Sequence, residues 1–370
     1  MPLRSTQRRS SESLRTNRKG QPSTMTRKFL ALLIAVAMLA AACGSDDESA
    51  TADCGTIDFL QPIPESIIFW PLLVSNELGY FADEGIEVNL LPGGDLPETA
   101  FVDNGTADIA SAGGPEVLQA MDAGADLVVV YDYWNIAAEG LVTLAGAGLS
   151  VQDLVGGTIG LVTDSDLATV TIIFDQLGLD PSSVDTVVLG ESPAILAESL
   201  ESGTVHAVAG AIMDFIGMGA AGIDLVDIAP DSFRASPTAS FIVTPETLDN
   251  NSDCIEGFLR AWAKGTYAGL HNGDNTMAIG RAAVPEEWED EAVGVASYEV
   301  SVAPQESVGG KDFGVVQTDV WQTVANQLIA AGELDMAEID VDDFIDQSLV
   351  DGANSWDRSK VQVDIDGYGS

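Results

Sequence analysis

The sequence predicts an α/β fold in two similar lobes with crevice sites at the strand ends, and three observations carry that prediction. Residues 70–94, WPLLVSNELGYFADEGIEVNLLPGG, pass from an amphipathic helix to an alternating strand and then to a glycine loop. Open α/β sheets build crevice sites from such units, because the strand ends open into the crevice. An internal echo, DNGTADIA (103–110) against ESGTVHAV (201–208), places a helix end, a glycine and a strand in the same order twice. A length of 370 residues, 46% of them hydrophobic, exceeds the ~100–200 residues of one domain and suffices for two cores.

The elements follow in order. Residues 1–24, rich in Ser and Arg, read as a disordered basic extension or as an over-extended start before Met25. MTRKFLALLIAVAMLAAA (25–42) has a basic start, a short apolar run and small residues before Cys43. This is the pattern of a secretory signal, and the run is shorter than the ~20 residues of a membrane span. Ala40-Ala41-Ala42-Cys43 resembles a bacterial lipobox, which implies cleavage before Cys43, lipidation of its thiol and anchorage to a membrane. Residues 43–53 form a flexible acidic tether. Export permits disulfides, and Cys54 with Cys254 is either such a bond or two buried free thiols.

TIDFL (56–60) is the first strand and PIPES (62–66) a proline-broken loop. Trp70, Leu73, Val74, Leu78 and Phe81 share a helix face. Gly79 loosens the last turns, and Gly85 stops the helix. Ile86, Val88 and Leu90 alternate as a strand. SAGG (111–114) ends another strand, with Pro115 at a helix start, and LVVVYDYW (127–134) is buried. LVTLA (141–145) opens a second unit with strands TIGLV (158–162) and DTVVLG (185–190), each leading into a helix start. SFIVT (240–244) returns to the first lobe. A helix opens at Ser252–Glu256 and runs to Leu270, and TDVWQTVANQLIAAG (318–332) forms another around Trp321, Val324, Leu328 and Ile329.

ELGYFADEGIEVNLLPGG, followed by NGTADIASAGGPEVLQAMDAGADLVVV (104–130), resembles the periplasmic solute-binding proteins of ABC importers for nitrate, alkanesulfonates, taurine and thiamine-precursor pyrimidines. The likeness covers roughly 54–350 and is strongest in the first third. It implies a type II periplasmic-binding-protein fold: lobe one at 54–143 plus 238–350, lobe two at 144–237, hinge crossings near Gly140–Ala145 and Ala235–Ser240, and a loose tail at 351–370. It also implies that ligand is held by the loops at strand ends. Those loops supply Glu65, Ser66, Phe69, Gly93, Gly94, Gly113, Gly114, Tyr133, Trp134, Thr163, Asp164, Ser165, Glu191, Ser192 and Asp214 as candidate contacts. Each has a plain structural alternative. Ser165 and Ser192 suit helix caps, the glycines suit turns, and Tyr133 and Trp134 suit a core. Adjacent strand residues point opposite ways, so one of those two rings is expected inward and the other toward the crevice.

Charge narrows the ligand. The chain carries a formal −43, yet eight of its fifteen Lys and Arg precede Cys43, leaving seven bases against 57 acids in the body. Such a body repels nucleic acid and anionic surfaces. From Cys43 to Phe233 there is no Lys or Arg, whereas Glu65, Asp95, Asp132, Asp164, Glu191 and Asp214 fall at the expected mouth. A neutral or cationic, partly aromatic heterocycle, such as a thiamine-type aminopyrimidine, fits better than alkanesulfonate, taurine or nitrate. Helix N-termini can still bind those anions without side-chain cations.

Catalysis has little support. GESPA (190–194) has the outline of a nucleophile elbow, but Pro193 makes Ser192 a helix start, and His206 and His271 are the only imidazoles. Related pyrimidine-synthesising proteins depend on a cysteine-rich motif that three scattered cysteines cannot supply. No metal-ligand spacing, calcium loop or phosphate loop occurs. The expectation is a non-enzymatic, monomeric, cofactor-free lipoprotein outside the cytoplasm, delivering a small molecule to an ABC permease. A secreted hydrolase or a sensor lipoprotein are the readings from other classes.

Overall fold

The computed structural model describes residues 54–93, 96–310 and 312–369; the basic extension, the signal segment, Cys43 and the tether lie outside them. In chain order the strands are β1 (Gly55–Leu60), β2 (Ile86–Leu90), β3 (Ile109–Ala112), β4 (Val128–Ile136), β5 (Glu139–Leu144), β6 (Thr158–Leu161), β7 (Asp185–Val188), β8 (Ala207–Ala211), β9 (Leu225–Asp227) and β10 (Ala235–Val243). They form two five-stranded sheets, ordered β2-β1-β3-β10-β4 and β7-β6-β8-β5-β9. In each, three strands run parallel: β1, β2 and β3 in one, β6, β7 and β8 in the other. A strand arriving from the other sheet lies antiparallel beside the third, β10 against β3 and β5 against β8.

The helices used below are α1 (Trp70–Glu77), α2 (Gly114–Asp122), α3 (Leu167–Gln176), α4 (Pro193–Glu201), α5 (Ile212–Ala220), α6 (Pro245–His271), α7 (Glu291–Val302), α8 (Thr318–Ala331) and α9 (Arg358–Asp366). One core of the first sheet lies under α1 and α6, where Phe59, Tyr133, Phe241, Phe258 and Trp262 pack ring to ring. A second core, around Trp321, Val117 and Leu118, lies under α2 and α8. The second sheet is likewise covered on both faces, by Val170, Ile173 and Phe174 of α3 and by Leu196 and Leu200 of α4 with Met218 of α5. Burial on both faces explains the apolar runs of the inner strands β3 and β8, whereas the edge strands β2 and β7 stay partly or wholly exposed.

Several boundaries differ from expectation for identifiable reasons. The helix expected over Trp70–Phe81 stops at Glu77, because Gly79 adopts the left-handed conformation (φ 77°) and restarts the chain as a short turn at Tyr80–Asp83. α6 begins at Pro245, seven residues before the expected Ser252, and Asn251 breaks it with non-helical backbone. The capping signal at 252–256 thus marks the point where the helix resumes. β5 starts at Glu139, so the first crossing between sheets is Ala137–Ala138 and not Gly140–Ala145; the returning β10 already pairs from Ala235. The tail expected to be loose forms α9, with Val361 and Ile365 buried and Asn275 donating to the Ile365 carbonyl (2.7 Å). Cys54 and Cys254 are joined in a disulfide that ties the start of β1 to α6. Among the described residues no helix is long and apolar enough to cross a membrane.

Candidate functional site

The topology turns the parallel-strand ends of the two sheets toward each other. β4 ends at Ile136 on that edge of the first sheet, and only Ala137 and Ala138 separate it from β5. Glu139 pairs with Ala211, the last residue of β8, so the link enters the second sheet at its corresponding edge. The Ile212 N–H donates to the Ala138 carbonyl (2.9 Å), and the Ala137 N–H to that of Arg234 (2.8 Å). The loops after β1, β2, β3, β6, β7 and β8 therefore sit on facing edges.

The candidate residues divide into three groups. Glu65, Gly93, Asp164, Glu191 and Ser192 are exposed on those edges; Gly94 lies outside the described residues. A second group is occupied locally. The Ser66 hydroxyl accepts from the Ile68 N–H (3.2 Å). Asp166 accepts from the Thr163 N–H (2.6 Å) and hydroxyl (3.0 Å), and the Thr163 hydroxyl is 2.6 Å from that of Ser165. Asp214 accepts from the Ala211 N–H (3.0 Å). Gly114 is needed for close approach, since a Cβ there would stand 2.5 Å from Pro237 Cγ of the returning strand, whereas a Cβ on Gly113 would meet only the Thr238 carbonyl at 3.4 Å, an ordinary contact.

The third group is buried. Tyr133 stacks on Phe241 (4.7 Å) with its hydroxyl 2.6 Å from that of Ser111, so its ring is core. Phe69 meets both Tyr133 (6.1 Å) and Trp134 (5.9 Å) edge-on. Trp134 does not point away from Tyr133 as alternation requires. Asp132 pairs with Ser240 and Trp134 with Ala239, so Tyr133 is an extra residue in β4. Such a bulge resets the alternation, and both rings join one core.

Asp132 is not at the mouth. It is fully buried, accepting from the Ser240 hydroxyl (2.6 Å), the Gln317 N–H (3.2 Å) and the Trp321 indole (3.3 Å). Burial pushes its carboxyl up to about 6 against those hydrogen bonds.

Most of the described bases are held in ion pairs. Arg260 and Lys264 share Glu84 (3.1 and 3.0 Å), Arg281 pairs with Glu291, Arg358 with Asp312 (3.5 Å), and Arg234 with Asp227 (3.4 Å). Lys360 is on α9, and Lys311 lies outside the described residues. Arg234 is the base nearest the crossing, and sequence reasoning gave it no place. It lines a cavity of about 340 Å³ beside the crossing with Phe215, Glu139, Asp224, Asp227 and Glu299. Burial raises the Asp227 carboxyl, against the Ala229 N–H and then the Arg234 charge. Its position as the first base after a long acidic stretch was the only available signal. The imidazoles are remote: His206 Nδ1 faces the Thr158 N–H (3.2 Å) at the opposite edge of the second sheet, and His271 stacks on Tyr267.

Two mixed sheets joined at facing edges are the architecture of the periplasmic-binding-protein fold, and solved structures bear out that class. The periplasmic aliphatic sulphonate binding protein SsuA from Escherichia coli superposes with a TM-score of 0.56 at 16% identity, covering 80% of this chain and 99% of that one. The alkanesulfonate-binding protein SsuA from Xanthomonas axonopodis pv. citri gives 0.50 at 14% identity, covering 79% and 98%. An enzyme shares the fold too: the desulfurization enzyme DSZB gives 0.50 at 15% identity, covering 81% and 98%. Residues 67–275, more than half of the chain, match the NMT1/THI5-like family, and the chain belongs to it. The 4-amino-5-hydroxymethyl-2-methylpyrimidine phosphate synthase of Legionella pneumophila is 26% identical over 137 residues. That similarity spans 36% of this chain and 43% of the enzyme, less than half of its length.

Proposed function

We propose that this chain is the solute-binding component of an ABC importer, held outside the cytoplasm by a lipid on Cys43. In this reading it captures a neutral or cationic N-heterocycle, of which a thiamine-precursor pyrimidine is the leading case, and hands it unchanged to a permease. The protein acts as a monomer without a cofactor. Lobe one carries the first sheet, residues 54–136 with 235–369, and lobe two the second sheet, residues 139–234, turning about the crossings at Ala137–Ala138 and at Arg234–Ala235. Ligand touching both lobes shifts the population toward a closed form by its differential affinity.

The observation that carries the ligand class is the charge at the facing edges. Glu65, Asp164 and Glu191 are exposed there, while five of the six described bases of the body are held in ion pairs. A field of one sign disfavours an anion in a low-dielectric cleft. Of the candidate contacts, Glu65, Gly93, Asp164, Glu191 and Ser192 are the side chains and backbone free to meet a ligand.

Alkanesulfonate, taurine or nitrate is the second reading. One feature favours it: α2 and α4 start on the facing edges without a side-chain cap, which leaves amide donors for an oxyanion. A thermal-shift screen of the full chain against aminopyrimidines, flavins, amines, sulfonates and nitrate decides between them, since a native-state ligand raises the melting point. Aminopyrimidines or amines are the expected hits. Sulfonate or nitrate as the sole hits would overturn the charge argument.

A further inference from the structure

The turn that carries Ser66 and Phe69 is clamped by two residues far along the chain, which flank α7. Glu287 accepts from the Ile67 N–H (2.8 Å) at a separation of 220 residues, and Gln305 Nε2 donates to the Ile68 carbonyl (2.9 Å) at a separation of 237. Gln305 Nε2 also reaches the Ser301 carbonyl (3.3 Å). Two carbonyl acceptors fix which way this amide faces, because a carbonyl cannot donate. Its Oε1 therefore points away from both, and it is buried without a hydrogen-bond partner among the described residues. The hydroxyl of Tyr131, on β4, is buried and unpartnered in the same way. Both side chains line one small chamber between β4 and the segment 305–315, with Thr266 of α6.

We propose that this chamber seats a single water molecule, which accepts from the Tyr131 hydroxyl and donates to Gln305 Oε1, and that Gln305 is thereby a positioning residue for the turn Ile67–Phe69. The chamber measures about 10 Å³, and one water needs roughly 10–15 Å³, so there is no room for a larger guest. Buried polar atoms are rarely left unpaired in folded proteins. Here one atom can only accept and the other can donate, which is the pair that a water bridges. Burial, then the charge of Asp312, pushes the Tyr131 pKa up, so the phenol keeps the proton it donates. The walls also suit a neutral guest. The Asp132 carboxylate is taken up by Ser240, Gln317 and Trp321, and Glu306 and Asp312 are exposed to solvent. The water joins β4 to Gln305, and Gln305 joins the water to the Ile68 carbonyl. Neither Tyr131 nor Gln305 is a candidate ligand contact, so the site goes beyond the binding reading and does not rest on it.

A crystal structure of the ligand-free full chain tests the site directly. One water is expected within about 3.0 Å of both Tyr131 Oη and Gln305 Oε1. A direct bond between those two atoms, a metal ion in that place, or no density there would overturn the proposal. Hydrogen exchange by mass spectrometry on the same chain tests the link to the turn. Gln305→Met, which removes both the donor and the acceptor, is expected to speed exchange of amides 67–70 several-fold and to leave those of α8 unchanged. The Tyr131 hydroxyl bonds to nothing in that turn, so it reaches the turn only through the water. Tyr131→Phe keeps the ring beside Phe241 and is expected to give a smaller rise in the same amides. Unchanged exchange at 67–70 in either variant overturns the positioning role, as does a rise shared equally by α8, which would mark general loosening. No readout here involves a solute, so failure of the water site is distinguishable from failure of the binding reading.

Discussion

At the scale of single residues, Asp132 gives the sharpest test. A carboxyl whose folded pKa lies near 6, against about 3.9 in an unfolded chain, binds more protons folded than unfolded between those values. Its effect on stability is therefore most favourable below about pH 4 and is lost as pH rises through about 6. Asp132→Asn keeps an acceptor for Ser240 and Trp321 and removes the buried charge. We expect its melting point to match or exceed that of wild type at pH 7 and the difference to fall away toward pH 4, read by calorimetry at both pH values. The sequence placed Asp132 at a strand end but could not show which way it faced. A bulge one residue later, created by the uneven pairing of β4 with β10, is a tertiary event that no local pattern encodes. For the same reason one of the two aromatic rings was expected in the crevice, yet both are buried in the core. Caps were legible only in part: Thr163 with Asp166 closes the turn before α3, whereas Ser192, expected to cap α4, makes no side-chain cap bond, and the Ser165 hydroxyl meets that of Thr163 instead.

At the scale of elements, strand and helix identities were readable because each carries its own period, whereas helix contacts were not. α6 crosses α1 where Gly265 and Gly269 sit, and a Cβ on Gly269 would overlap the indole of Trp70. Both glycines have helical geometry within α6, so their role is close approach and not backbone freedom. Gly269→Ala is expected to lose roughly 1–3 kcal/mol through overpacking, measured by urea unfolding, although alanine is the better helix former. Unchanged stability would show that Trp70 can shift. The C-terminal segment makes a similar point. Its acidic, Gly-ended sequence looks unstructured, but Val361 and Ile365 at helical spacing dock onto the first lobe. Removal of residues 357–370 is expected to lower the melting point and to leave a ligand-dependent rise intact.

At the scale of the whole molecule, the disulfide joins residues 200 positions apart, closing a loop that spans the second sheet. Cross-links of this kind stabilise by about 2–4 kcal/mol. Cys54→Ser with Cys254→Ser is expected to lose stability in that range while binding is retained. Two lobes were legible from length, the internal echo and the family likeness. The exact crossings were not, because β5 is set by its pairing with β8 and not by its own residues. If the proposed lipid on Cys43 holds the protein at the membrane, Cys43→Ser is expected to release it from the detergent phase of a phase-partition assay without altering ligand-dependent melting. The account as a whole depends on a cleft that holds one uncharged or cationic solute and releases it intact. Native mass spectrometry of the full chain incubated with an equimolar mixture of aminopyrimidines, amines, sulfonates and nitrate tests this most directly. The account predicts one aminopyrimidine or amine per chain, recovered at its original mass after denaturation; a bound sulfonate or nitrate, or a recovered molecule of altered mass, would contradict it.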